Sequence, residues 1–185
     1  MSLTESTMLE LGTNAPDFAL TDVISGKTVS LDDYKDKDAL LVMFICTHCP
    51  YVKHIEKSLG KLGADYAGAP LGIVAISSND VTTHPADSPA GMKAQAQNFG
   101  FTFPYLYDES QAVAHAYSAA CTPDFFLFDK DFRLVYRGQY DASRPGNGLP
   151  VTGEDLRAAI DTVLAGKPVS PDQRPSIGCN IKWKQ

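Results

Sequence analysis

The chain is poor in the features that point outward. Its 185 residues include one Trp and four Cys, with 16 Lys and Arg against 22 Asp and Glu, for a formal net charge of −6. That balance, with no cluster of basic residues, excludes a nucleic acid as the expected partner. No apolar run approaches the ~20 residues that a bilayer span requires, so no membrane partner is expected. The first thirty residues lack a basic start followed by an apolar core, so no secretory leader is read. Four cysteines at this length do not make a disulfide scaffold. The expectation is a reduced, cytoplasmic protein that needs no cofactor. No repeat or compositional break divides the sequence, and a chain of this length buries ~70% of its unfolded surface without staples. Residues 1–185 are therefore expected as one domain, with an irregular tail over 167–185.

What is present centres on Phe44-Ile45-Cys46-Thr47-His48-Cys49-Pro50-Tyr51-Val52. The apolar run 39–45 before it reads as a strand buried on both faces. After it, Val52, Ile55, Leu59, Leu62 and Tyr66 recur at three and four, the stripe of a helix of about eighteen residues. Proline is favoured at the first helical position, so Pro50 places Cys49 at the N-cap. There the free N–H groups and the helix dipole both favour a thiolate. Lys53, one turn on, adds positive charge, and His48 is a candidate base. Cys46 reads as a small apolar filler in the last pleat of the strand. Alternatively Cys46, His48 and Cys49 hold a soft metal such as copper or zinc. That set has no evident fourth ligand, and no metal is assigned.

The remaining order is that of an α/β sandwich. Residues 1–14 read as a loose arm, and 15–20 with 28–31 as a β-hairpin. The run 71–77 is a second buried strand, which makes a right-handed βαβ unit with the first. A loop over 81–90, a helix from Met92 to Phe99, a short strand at 104–107 and a helix over 111–119 follow. Cys121-Thr122-Pro123-Asp124 precedes an aromatic strand, 125–129, which pairs with 133–137. A last helix, 156–164, is capped by Thr152-Gly153-Glu154-Asp155. The sheet is mixed, parallel around the first unit and antiparallel at the hairpin.

This order, with Cys-Pro at the first strand-to-helix junction and Thr-Pro before the last hairpin, resembles the thioredoxin fold. That is a three-layer α/β/α sandwich, here with an N-terminal β-hairpin. The stretches 44–52, 121–128, 140–145 and 175–184 are similar to a peroxiredoxin-like redoxin subfamily related to alkyl hydroperoxide reductase and thiol-specific antioxidant proteins. The resemblance runs from about residue 9 to the C-terminus. It implies a cis Thr122-Pro123 bond, a loop packed on the active cysteine, and Thr122 offering its backbone to substrate. It also makes Cys121 the best candidate to resolve Cys49. Cys179, beside Gly178 in the tail, is an alternative resolver, although a structural or solvent-facing role suits it better. The chain departs from both parent patterns at Val52, which stands where thioredoxins carry their second cysteine and where peroxiredoxins carry the attacking one.

Two functions are carried forward. The first is a thiol-based oxidoreductase or antioxidant. Cys49 is its nucleophile on a disulfide or peroxide, Cys121 is its catalytic partner, and an external thiol is its reductant. Thr122, Pro123, Pro50, His48 and Arg144 are its candidate substrate-binding residues. The second is a non-enzymatic binding protein, possibly carrying a soft metal through Cys46, His48 and Cys49.

Overall fold

A computed structural model describes residues 2–185. In chain order the chain forms β1 (Leu3–Glu5), β2 (Ala19–Asp22), β3 (Thr28–Ser30), β4 (Ala39–Phe44), α1 (Pro50–Lys53), α2 (Glu56–Asp65), β5 (Leu71–Ser77) and α3 (Pro89–Phe99). It continues with β6 (Tyr105–Tyr107), α4 (Ala112–Ala116), β7 (Cys121–Thr122), β8 (Asp124–Asp129), β9 (Leu134–Gly138), α5 (Glu154–Leu164) and β10 (Ile177–Asn180). A seven-stranded sheet has the order β3-β2-β6-β5-β4-β8-β9. Strands β4, β5 and β6 are parallel, while β8 runs antiparallel to β4 and β9 to β8. With helices on both faces, this is the expected thioredoxin-like α/β/α sandwich with a mixed central sheet and an N-terminal hairpin.

Alternation along β4 sorts its side chains between two cores. Leu41, Met43 and Ile45 pack with Leu59 and Leu62 of α2, Met92 of α3, and Leu156 and Ile160 of α5. Leu40, Val42 and Phe44 face the other way, against Val113 and Ala114 of α4 and Tyr117 just beyond it. Every residue of β4 and β5 is buried, as a strand covered on both faces requires. The C-terminal ends of these strands form the rim that carries Cys49.

Four local expectations change. The single helix over 50–67 breaks at His54–Ile55, where the Ile55 N–H bonds to the Val52 carbonyl, three residues back, at 3.0 Å. Just past this break Glu56 is buried and accepts from Gln95 Nε2 at 2.9 Å. The first hairpin strand lies at Ala19–Asp22 because the residues before it are engaged elsewhere: Asn14 bridges Arg133, and the Ala15 N–H bonds to the Phe132 carbonyl. Within the expected loose arm, Leu3–Glu5 pairs antiparallel with Ile177–Asn180; Met1 lies outside the described residues. The tail is therefore not irregular throughout, since β10 is the middle strand of a second sheet, β1-β10-β7.

Gly60 of α2 sits against the end of α3 so closely that a Cβ there would overlap the Phe99 carbonyl oxygen. Gly60→Ala should push α2 off α3 and cost about 1–3 kcal/mol, as overpacking does. Chemical denaturation measures this, and an unchanged midpoint would contradict the close approach.

Candidate active site

Cys49 caps α1 in an extended conformation (φ −69°, ψ 127°), with Pro50 at the first helical position. The N–H groups of Val52 and Lys53 both point back to the Cys49 carbonyl, at 3.0 and 2.9 Å. The strand-to-helix turn thus holds the cysteine at the helix start, as its neighbours dictate. Its sulfur is bonded to Cys179, 130 residues on, with the two Cα atoms 6.1 Å apart. Both cysteines are buried, at 0% and 1% exposure, so the disulfide is closed to solvent.

Strand β10 delivers Cys179. It pairs with β7 so that Cys179 lies opposite Thr122 and Asn180 opposite Cys121. Gly178 makes this approach possible, because a Cβ there would overlap the Thr122 carbonyl. Ser176 Oγ donates to the Pro123 carbonyl at 2.6 Å, and past β10 the Lys182 N–H donates to Asn79 Oδ1 at 2.8 Å. The Thr122–Pro123 peptide is cis. The Thr122 carbonyl oxygen is 3.5 Å from Cys49 Sγ, and its hydroxyl is 3.4 Å from Cys46 Sγ.

Cys121 is not brought to Cys49. The antiparallel register places Cys179 beside the Thr122–Pro123 loop, while the Cys121 thiol is buried and turned to the Pro123 carbonyl at 3.6 Å. Burial, and then the neighbouring Asp124 carboxylate, hold that thiol far above the usual range. Asp124 is itself fully buried at the start of β8. Its Oδ2 accepts from the Ala120 N–H at 3.2 Å, and Oδ1 has no hydrogen-bond partner among the described residues. Burial raises the Asp124 carboxyl to about 7, although nearby backbone N–H groups work against the rise.

On the other side of Cys49, His48 is only partly exposed. Its Nδ1–H donates to Asp87 Oδ2 at 2.6 Å, and its ring stacks on that of His84 at 4.8 Å. Asp87 has no solvent exposure and also accepts from the Thr47 N–H and hydroxyl and from Asn79 Nδ2. Burial works to raise its pKa, yet the donors led by His48 outweigh burial and hold the carboxyl down to about 2. Cys46 is buried, and burial followed by Asp87 pushes its thiol up to about 11. Gln95 ties this corner together: its Nε2 donates to the Cys46 carbonyl and to Glu56, and its Oε1 accepts from the Tyr105 hydroxyl.

The remaining expected site residues lie around the rim. Pro50 is exposed, whereas Thr122 and Pro123 are buried beneath the tail. Arg144 lines a narrow cleft with Tyr51, His54, Pro123, Ser176 and Ile177. Its guanidinium is spent on its own loop, bonding the carbonyls of Asp141 and Ser143 and Oε1 of Gln139. His54 Nε2 is bonded to Ser143 Oγ at 3.0 Å. Asp87, Asn79, Gln95 and Asp124 are not among the expected site residues, and two of them carried a signal: Asn79 follows the C-terminal end of β5, on the Cys49 side of the sheet, and Asp124 is a carboxylate at the head of an aromatic strand.

The model of the AhpC/TSA family matches residues 11–137. The chain belongs to the AhpC/TSA family. Among its relatives is the thiol-disulfide oxidoreductase ResA of Geobacillus kaustophilus, 30% identical over 134 residues, covering 69% of this chain and 68% of ResA. A crystal structure of an uncharacterized conserved protein from the same species is 56% identical with a TM-score of 0.97, covering 100% of this chain and 97% of that one. A hypothetical protein from Sinorhizobium meliloti 1021 is 54% identical with a TM-score of 0.96, covering 98% of each chain. Within the AhpC/TSA family this chain is thus a thioredoxin-fold redoxin related to ResA-type proteins. That relationship corrects the expected cytoplasmic location, against which similarity to ResA argues. That expectation rests on the low cysteine count and on the missing leader pattern together, and two of the four cysteines are disulfide-bonded. Among the described residues no helix is long and apolar enough to cross a membrane.

Two outcomes follow from the site. Asp124 keeps in the folded state a proton that the unfolded chain releases near pH 4. Its contribution is therefore full below pH 4 and is lost as pH rises through about 7. Asp124→Asn removes this titration and should gain stability relative to the parent between pH 5 and pH 8, as read from urea midpoints; an equal difference at both pH values would contradict the assignment. Gly178→Ala should lift β10 from Thr122, cost about 1–3 kcal/mol, and make the Cys49–Cys179 bond easier to reduce. Equilibration with dithiothreitol measures the last point, and an unchanged equilibrium constant would refute the role given to Gly178.

Proposed function

We propose that the chain is a thiol–disulfide oxidoreductase whose working couple is Cys49 and Cys179, with residues 1–185 acting as one redoxin domain. The observation that carries this reading is the closure of Cys49, at a helix start, onto a cysteine held by β10 beside the Thr122–Pro123 loop. In the reduced form the Cys49 thiolate attacks a substrate disulfide. A mixed disulfide forms and one substrate thiolate leaves. The Cys179 thiolate then attacks Cys49, releasing the second substrate thiolate and restoring the Cys49–Cys179 bond. An external thiol reduces that bond and is itself oxidised to its disulfide. Because both sulfurs are buried, each round begins with local opening of the tail around β10. His48, Pro50 and the Thr122–Pro123 backbone then form the face that a substrate chain meets.

Membership of the AhpC/TSA family, with the resemblance to its peroxiredoxin-like branch, supports a peroxide as a second oxidant. The Cys49 thiolate would cleave the O–O bond, giving a sulfenic acid and an alcohol or water. Condensation with the Cys179 thiol would then release water and form the same disulfide.

Cys49→Ser should abolish exchange with a model disulfide. Cys179→Ser should accumulate the mixed disulfide on Cys49, trapped by acid quench and identified by mass spectrometry. Undiminished turnover in Cys49→Ser, or no mixed disulfide in Cys179→Ser, would overturn the couple. Running the same variants with hydrogen peroxide decides between the two oxidants.

A further inference from the structure

The most suggestive cluster outside the disulfide is the corner between β4 and the 81–90 loop. A thiol, an imidazole and a carboxylate meet there: Cys46, His48 and Asp87 present ligand atoms that all lie within 4.8 Å of one another. The sequence alone offered Cys46, His48 and Cys49 without a fourth donor. The fold supplies Asp87, roughly forty residues away, on the short turn Pro85–Asp87. We propose that Cys46, His48 and Asp87 form a binding site for a borderline-soft divalent cation of the zinc class. We further propose that Cys49 completes the site when its bond to Cys179 is reduced.

The donor set suits that class. One sulfur, one imidazole nitrogen and one carboxylate oxygen match the ligands of four-coordinate zinc, whereas calcium and magnesium prefer oxygen ligands throughout. The supporting shell is already built. Thr47, through its N–H and hydroxyl, and Asn79 fix the Asp87 carboxylate by three hydrogen bonds that do not involve His48. Outer partners of this kind orient a metal-binding carboxylate and tune its affinity. The His48 ring is also stacked against His84, which limits its rotation. His48 is the solvent-facing member, with a quarter of its side chain exposed, so a cation has a way in. On binding, the cation replaces the proton that Nδ1 shares with Asp87 and the proton of the Cys46 thiol, and both go to solvent.

The redox gate rests on the Cys49–Cys179 couple proposed above, while the three-ligand site does not. Cys46 and Cys49 both lie against Thr122, one near its hydroxyl and the other near its carbonyl. In the disulfide form Cys49 has no thiolate to offer, and the protein provides three ligands. Reduction by two equivalents of an external thiol breaks the S–S bond, oxidises that thiol to its disulfide, and frees Cys49. A cation then takes Cys49 as its fourth ligand and releases that thiol's proton. The bound cation in turn withdraws the nucleophile, so metal occupancy and disulfide exchange oppose one another.

The test is anaerobic titration of the full chain with zinc(II) against a chromophoric chelator, in the oxidised and reduced states, with cobalt(II) as a spectroscopic substitute. The expected result is one equivalent per chain, bound at least tenfold more tightly when reduced, with sulfur-to-cobalt charge-transfer bands in both states. Cys46→Ser and Asp87→Asn should each lower affinity at least tenfold in both states, and Cys49→Ser should bring the reduced affinity down to the oxidised value. Should Asp87→Asn fail to fold, His48→Gln at the partly exposed position carries the same expectation. Absence of stoichiometric binding, or wild-type affinity in Cys46→Ser and His48→Gln, overturns the site. Equal affinity in the two redox states overturns the gate. Disulfide exchange measured in chelator reads the couple separately: exchange without zinc binding removes the site and leaves the couple standing.

Discussion

The arrangement depends on one close packing contact, that of Gly178 against the backbone of Thr122. Strand β10 is only four residues long and belongs to neither the central sheet nor a helix layer. It is held on one side by β1 and on the other by β7. Because residue 178 lacks a side chain, β10 comes near enough to the Thr122–Pro123 loop for residue 179 to fall opposite Thr122. Everything proposed for Cys49 follows from that placement. The two sulfurs then meet under a cover made by the tail itself, which gives a buried disulfide rather than one exposed at a rim.

The titratable groups around this contact divide by solvation. Cys121 and Asp124 lie together out of reach of water, and burial favours their neutral forms even though backbone N–H groups work against it at Asp124. Asp87 is just as inaccessible, yet four donor groups surround it and keep it ionised. At Asp87 the donors led by His48 outweigh burial, whereas at Asp124 burial outweighs the backbone N–H groups that oppose it. The negative charge at Asp87 adds to burial in raising the Cys46 thiol, burial being the larger cause, and it orients His48 beside Cys49. The helix-start cysteine thus sits between a charged corner and a neutral one.

Much of the fold was legible because local pattern and burial agree. The all-apolar run at 39–45 is β4, the stripe from Val52 to Leu62 is buried across α1 and α2, and Cys49-Pro50 is the cap. The aromatic run 125–129 and its return strand lie within one residue of their expected positions. The site was legible only at its first half. Cys179 stands in a stretch with three prolines and no period, and its strand exists only through pairing with Leu3–Glu5 and Cys121–Thr122. Pairing between segments so far apart in the chain leaves no local trace, so Cys121, adjacent to the Thr-Pro step, was the nearer guess. Asp87 was hidden for the same reason: within a Pro-rich loop it looks solvated, and only the turn at 85–87 folds it under His48. The break at His54–Ile55 was invisible because the apolar stripe continues across it unbroken.

The Cys49–Cys179 couple is read out by a redox equilibrium titration with peptide mapping at each potential. The expected result is a single two-electron transition in which the Cys49 and Cys179 peptides become linked, while Cys46 and Cys121 remain thiols throughout. A Cys49–Cys121 or Cys46–Cys49 link in the oxidised protein, or the absence of any reversible transition, would contradict it.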